Sequence, residues 1–346
     1  MTQTRSVAGD DLKRGGVVAA RLVAAAPVIL FALLLATFGS ISPQFFTAQN
    51  FTNILVQATS NAMVATGMTF VLLTGGVDLS VGAIMLIAAA VAGKLVVRGV
   101  SPGAVIGSVV AVGILGGGIN ALIVTRLKVL PFIATLATLY VGRGFALWLT
   151  ETRAMNLPES FLHLGASSVY GLPVPLWLLL TIVLLSQGTL SFTPFGRQIY
   201  AIGADREGAR KAGVRVGAWL AAVYVISGGC AALGAIVSLT QLGAVSPTFG
   251  LNREFTAIAA AVLGGTSLFG GRGNVFPGTI LGAVLIQTVE NGLVIVNADP
   301  YLYPLVTSGI IFIAVLLDSL GTAAVKASRR PTIRRTIRGC ESTGFS

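Results

Sequence analysis

Histidine occurs once in this chain of 346 residues, and cysteine only twice. Cys230 sits inside an apolar run and Cys340 near the end, a spacing that offers neither a disulfide framework nor a metal site. The single His163 lies in a loop far along the chain from Gly265-Thr-Ser267, which argues against a serine–histidine nucleophile. There is no HExxH and no Cys/His cluster, so no metal is expected. GxxxxGK[ST] is also missing, so the chain has no phosphate-binding loop for ATP and is expected to bind no cofactor. Any ATP-driven work must come from another subunit.

Charge is scarce too. Only 10% of residues are charged against 54% hydrophobic, and the mean hydropathy of +0.87 is well above that of a soluble domain. The formal net charge of +11 would suit nucleic acid, but the basic residues flank apolar runs, where membrane orientation accounts for them. No nucleic-acid partner is expected.

What the chain has in abundance is apolar runs of about 17–24 residues, long enough to cross a bilayer as helices. Ten crossings are expected, near 17–38, 52–74, 80–97, 104–125, 130–150, 174–192, 217–240, 254–269, 275–297 and 303–319. The 43 glycines suit helices packed closely through small residues. The first run is too long for a signal-peptide core and is kept as a span. The fold class is therefore an all-α polytopic membrane protein. A transmembrane body at 17–320 lies between a short segment at 1–16 and a basic tail at 321–346, with anionic lipid as the tail's expected neighbour. Both termini are placed inside, because that orientation puts most of the 23 lysines and arginines on the interior side.

Two crossings are irregular. The second and third meet at Thr74-Gly-Gly-Val-Asp-Leu-Ser-Val-Gly82 with almost no loop, and the eighth gives way early to Gly264-Gly-Thr-Ser-Leu-Phe-Gly-Gly-Arg-Gly273. Glycine-interrupted spans can line a polar pathway or act as hinges, and can equally be tight turns between packed helices. The candidates are Gly75, Gly76, Asp78, Ser80 and Gly82 in the first segment and Gly264, Gly265, Thr266 and Ser267 in the second. Asn61, within a span, and Glu254, at the exterior end of the eighth crossing, join them. Asp78 is placed to cap the helix beginning near Val81, or to contact solute. The amides Gln57, Asn61, Asn120, Gln287 and Asn291 can bond a neutral polyhydroxylated solute or neighbouring helices.

Arg143 and Glu290 are the deep charges, at similar depth from the inner ends of their spans. A structural ion pair is expected, with outward snorkelling of Arg143 as the alternative.

One stretch concentrates the remaining charge. From Phe195 to Trp219 it carries Arg197, Asp205, Arg206, Glu207, Arg210, Lys211 and Arg215. Asp205 can cap a short helix, Glu207 and Lys211 are spaced i,i+4, and Gly213 is a natural stop. About eight residues make a helix of about 12 Å, too short to cross a membrane. A solvated loop that merely fixes topology needs none of these features, whereas a docking element does.

Four segments together resemble the permease subunits of bacterial ABC importers in the ribose/xylose/galactose branch. They are Leu73–Gly82, Pro131-Phe-Ile-Ala-Thr-Leu136, Phe195–Gly203 with the charged knob, and Ala257–Ser267 with Gly270-Gly-Arg-Gly273. The likeness covers roughly residues 45–320. It implies a ten-helix permease in the bacterial inner membrane, paired with a second permease copy. Two cytoplasmic ATPase domains that use ATP and Mg, and a periplasmic sugar-binding protein, would complete the importer. The family's ATPase-docking helix maps onto Asp205–Ala212, with Gly203 and Gly213 at its margins. Asp205 stands where the family often has Asn, Gly208 where it often has Ala, and Thr256 where an acid often follows the residue at Glu254. The expected function is translocation of a monosaccharide or related polyol. A branched-chain amino acid or nucleoside permease is the nearest alternative. An ion-coupled secondary transporter is the alternative from another class, and here its relay would rest on Glu290 and Asp78 alone.

Overall fold

The computed structural model describes residues 28–29, 31–299 and 301–328. The expected N-terminal segment, the start of the first crossing and most of the basic tail lie outside these residues. The described chain runs α1 (Phe31–Ile41), α2 (Ala48–Leu73), α3 (Val81–Val97), α4 (Pro102–Thr125) and α5 (Pro131–Thr150). After β1 (Met155–Asn156) come α6 (Glu159–Ala166), β2 (Ser168–Val169) and β3 (Leu172–Pro173). Then follow α7 (Val174–Phe192), α8 (Pro194–Ala204), α9 (Arg206–Lys211), α10 (Val216–Leu242) and β4 (Ala244–Val245). The chain continues through α11 (Arg253–Leu263), a π-type turn at Val275–Thr279, α12 (Ile280–Ile295) and α13 (Leu302–Ser328).

Among the described residues, six stretches are long and apolar enough to cross a membrane: α2, α4, α5, α7, α10 and Val275–Ile295. Shorter apolar helices are α1, α3 and Leu302–Ile313 at the start of α13. Proline at the first turn starts α4, α5, α7 and α8, where its missing N–H costs nothing.

α2 is the central post. Every residue from Ala58 to Leu73 is buried. Thr66 and Thr69 donate within the helix to Ala62 and Ala65, each at 2.8 Å, and Ser60 donates to the Gly234 carbonyl of α10 at 2.8 Å, so these buried hydroxyls are satisfied. α10 crosses both α2 and α4 through small residues. Gly67 lies on the Ser227 backbone, and Gly113 and Gly228 face each other so closely that a Cβ on either would strike the other's carbonyl.

The eighth expected crossing is half helix and half extended chain. α11 has 11 residues, about 16 Å at 1.5 Å each, roughly half of a hydrocarbon core of about 30 Å. The chain before it descends along α3: Val245 packs at Gly93, and Gly250 packs at Gly82, 11 residues lower on that helix. At the upper end β4 pairs with β1, Met155 opposite Val245, which ties the loop after α5 to the loop after α10.

Candidate functional site

Asp78 lies in the short link between α2 and α3 and is fully buried. Its Oδ1 accepts the Ser80 backbone N–H at 3.0 Å and the Ser80 hydroxyl at 2.6 Å, and its Oδ2 accepts the Ser227 hydroxyl of α10 at 2.8 Å. Asn120 of α4 donates to Ser80 Oγ at 2.6 Å and reaches Asp78 Oδ1 at 3.5 Å, while Thr138 of α5 donates to Asn120 Oδ1 at 2.7 Å. The cap expected of Asp78 is thus only its smallest part, since Ser80 sits before the first turn of α3. The carboxylate chiefly joins the start of α3 to α4, α5 and α10. Each hydrogen bond of this kind contributes about 0.5–1.5 kcal/mol. Beside the network, the Tyr224 hydroxyl is buried without a hydrogen-bond partner, and a Cβ on Gly76 would stand 2.9 Å from it.

The two glycine segments meet each other. Gly75 faces the Phe269 carbonyl, Gly270 backs onto the Gly75 amide, and the Gly271 amide donates to the Leu73 carbonyl at 2.9 Å. Gly75, Gly265, Gly270 and Gly271 all have positive φ, which only glycine adopts freely. Gly264 packs on the Gly278 backbone. Thr266 and Ser267 are buried; the Ser267 amide donates to the Arg272 carbonyl at 2.9 Å, and the Thr266 hydroxyl has no partner. Onto this double turn sits Gly203 of α8, against Leu73 O and Gly271 N, and Tyr200 donates its hydroxyl to the Gly273 carbonyl at 2.7 Å.

α9 follows at once. Asp205 caps it as expected, its Oδ1 accepting from Glu207 N at 3.1 Å and Gly208 N at 3.0 Å, and Gly213 ends it at φ +83°. The helix itself has six residues, about 9 Å, rather than the eight expected. Ala209 is its buried foot, packed with Ile202 of α8 and Leu220 of α10. Arg206, Glu207, Arg210 and Lys211 are all exposed, with Glu207 paired to Arg210 at 2.9 Å and to Lys211 at 3.9 Å. Gly208 leaves room for the capping carboxylate, since a Cβ there would stand 2.5 Å from Asp205 Oδ2.

The expected Arg143–Glu290 ion pair does not form. Arg143 donates to the Gly250 carbonyl at 2.9 Å and acts electrostatically on Glu254, while Glu290 is influenced by Arg253. The descending chain before α11 carries Gly250 into the protein, which puts a backbone acceptor within reach of Arg143. The same descent corrects Glu254. It is not at the outer end of the crossing but 3% exposed at the start of α11, against Gly82, with Oε2 unpartnered. Asn61 is buried on α2 with its Oδ1 unpartnered, and Gln287 of α12 donates to Gln57 of α2 at 3.1 Å. Among the described residues no group of His, Cys, Asp or Glu could hold a metal ion.

A family model described as branched-chain amino acid transport system / permease component matches residues 50–316. The chain belongs to that permease family. The permease is 37% identical over 300 residues to the ribose import permease protein of Haemophilus influenzae, covering 85% of this chain and 93% of that one. It is 38% identical over 295 residues to the D-allose transport system permease protein of Escherichia coli K12, covering 84% and 90%. The fructose import permease protein of Rhizobium meliloti is 36% identical over 310 residues, covering 85% of each chain. No solved structure matches the permease.

Sequence reasoning missed Ser227, Thr138, Tyr200 and Gly250. The first two are single hydroxyls in apolar runs, a pattern that also arises wherever a hydroxyl bonds its own helix. Tyr200 adjoins the charged stretch, and its aromatic ring alone could not point to a carbonyl 73 positions away.

Proposed function

We propose that this permease is the membrane-spanning translocation subunit of an ATP-driven ABC importer for a monosaccharide or related polyol. What carries the proposal is the set of relatives: those matched over more than four-fifths of this chain include ribose, D-allose and fructose permeases. The absence of a phosphate-binding loop supports a separate cytoplasmic ATPase that binds ATP and Mg. Two copies, or this chain and a homologue, would flank the pathway. A periplasmic sugar-binding protein would deliver solute to the loops near 39–51, 151–173 and 241–253. The transmembrane body would span 17–320 with ten crossings, the eighth being the extended chain and α11 together, and with both termini in the cytoplasm.

In this reading α9 is the handle on which the ATPase acts. The knob is compact, capped at both ends and charged on its outer face. Its support by Gly203 and Tyr200 on the turns that close α2 and precede α12 gives a push on α9 a short mechanical route to the central helix. Those turns would then serve as hinges beside the pathway, with Asn61 and Glu254 as candidate lining.

The test is to purify the tagged chain from native membranes and identify what accompanies it. An ATPase and a binding protein of the sugar type are expected, and the reconstituted set should take up a pentose or hexose only with ATP. Uphill uptake by the permease alone, collapsing when the ion gradient is dissipated, would replace this reading with a secondary transporter.

A further inference from the structure

One groove on the bundle lies away from the knob and opens over the outer side of the Asp78 network. It lies between α3, α4 and α5, has a volume of about 350 Å³, and is walled by Ile84, Ile87, Gly116, Ile119, Gly142 and Phe145 among others. Ser80, Asn120 and Thr138, three members of the Asp78 network, form its floor. Farther along the same two helices, α3 and α5, lies a second recess of about 450 Å³, bordered by Lys94, Trp148, Glu151 and Thr152.

The two recesses share one seam. Ile87 and Lys94 are seven residues apart on α3 and so lie on one face, as do Phe145 and Trp148 near the end of α5, with Glu151 and Thr152 just beyond it. Phe145 and Trp148 stack at 5.7 Å and connect the recesses. From Thr138 to Trp148 the seam runs ten residues, about 15 Å, which equals one leaflet of a hydrocarbon core of about 30 Å. Its apolar end therefore fits an acyl chain in length and chemistry. Its polar end has Lys94 and Glu151 facing the same space, with Arg153 3.9 Å from Glu151 and a tryptophan at the boundary, where indole rings sit at the headgroup level.

We propose that this seam is a phospholipid site for a zwitterionic headgroup bearing a primary ammonium, such as phosphatidylethanolamine. Lys94 takes the phosphate, Glu151 takes the ammonium, and one acyl chain lies in the groove with its end over Ser80, Asn120 and Thr138. A purely anionic headgroup would set its phosphate against Glu151 with only the exposed Arg153, 3.9 Å from that carboxylate, to offset the repulsion. The seated chain would shield the polar floor from exchange with bulk lipid and hold α5 to α3.

Native mass spectrometry of the full-length protein, released from nanodiscs made with equal phosphatidylethanolamine and phosphatidylglycerol, tests the site. Retention of phosphatidylethanolamine over phosphatidylglycerol is expected. Lys94→Gln should weaken it about fivefold, the effect of removing one basic residue near a lipid surface, and Glu151→Gln should weaken it as well. Ile119→Trp fills the groove from a side chain that is 54% exposed, and should abolish retention without disturbing the core. Preference for phosphatidylglycerol would overturn the proposal, as would retention unchanged in all three variants. Disulfide-linked dimers from Ile119→Cys in native membranes would also overturn it, because the groove would then be covered by a second copy.

Discussion

Gly203 of α8 lies directly against the backbone carbonyl of Leu73, the last residue of α2, and that same oxygen accepts the Gly271 amide at 2.9 Å. A Cβ on Gly203 would strike both groups, and neither is a flexible side chain that can swing away. Gly203→Ala is therefore expected to cost about 1–3 kcal/mol through overpacking and to part α8 from α2. Thermal unfolding in detergent should fall, and uptake per ATP hydrolysed should fall with it. Gly217→Ala, where a Cβ meets nothing within 4 Å, serves as the control and should change neither.

Tyr200 tests the same seat more gently. Tyr200→Phe removes the 2.7 Å bond to Gly273 and should cost about 0.5–1.5 kcal/mol, with partial loss of coupling. Burial raises the Tyr200 hydroxyl above its ordinary pKa of 10.0. The neutral donor is then favoured in the folded protein, so its contribution is complete below about pH 10 and is lost only above that. The ratio of wild-type to variant uptake should stay flat between about pH 6 and 8; a ratio that changes there would contradict this role.

Asp78 and Ser227 should be energetically coupled. Ser227→Ala leaves one Asp78 oxygen without its hydroxyl donor and is expected to cost about 1–3 kcal/mol. Asp78→Asn keeps the shape but puts an amide donor where an oxygen accepts, and should cost at least as much. The double variant should lose less than the sum, because both changes remove the same bond. Additive losses in thermal unfolding would show that the two side chains do not depend on each other.

On α9, Glu207 is bonded to Arg210 and Lys211, but all three are more than half exposed and such pairs are worth only about 0–1 kcal/mol. Reversing Arg210 and Lys211 to Glu should leave the permease in the membrane at normal abundance. Uptake should nevertheless fall while ATPase activity of the assembled importer persists. Normal coupled uptake would refute the handle.

The deep charges divide differently from the pairing expected. Arg143→Gln combined with Glu254→Gln should be non-additive in thermal unfolding, since Arg143 acts on Glu254 and holds the Gly250 carbonyl just before it. Arg143→Gln combined with Glu290→Gln should be additive. Coupling in the second pair and not the first would restore the ion pair that the structure replaces.

Much of the helical body was legible because lipid allows few choices. A run such as 104–125 has to pair its backbone within itself, and it appears as α4 at Pro102–Thr125. The capped knob was legible for a similar reason. Asp205, Glu207, Lys211 and Gly213 act on neighbours within one or two turns, so their spacing already contains their partners. Glu254 shows where this stops. Its position after a loop read as exterior, and only the descent of Gly250 along α3 carries it into the core.

The order of apolar runs, the helix caps and the turns that require glycine follow from local backbone chemistry, and the sequence determined them unaided. Which buried groups meet was decided by the tertiary structure: Asp78 with Ser227 149 positions away, and Arg143 with Gly250 rather than Glu290. The physical reason is that depth along a span constrains height but not rotation about the helix axis. Rotation is set by how small residues such as Gly113 and Gly228 let two backbones close on each other.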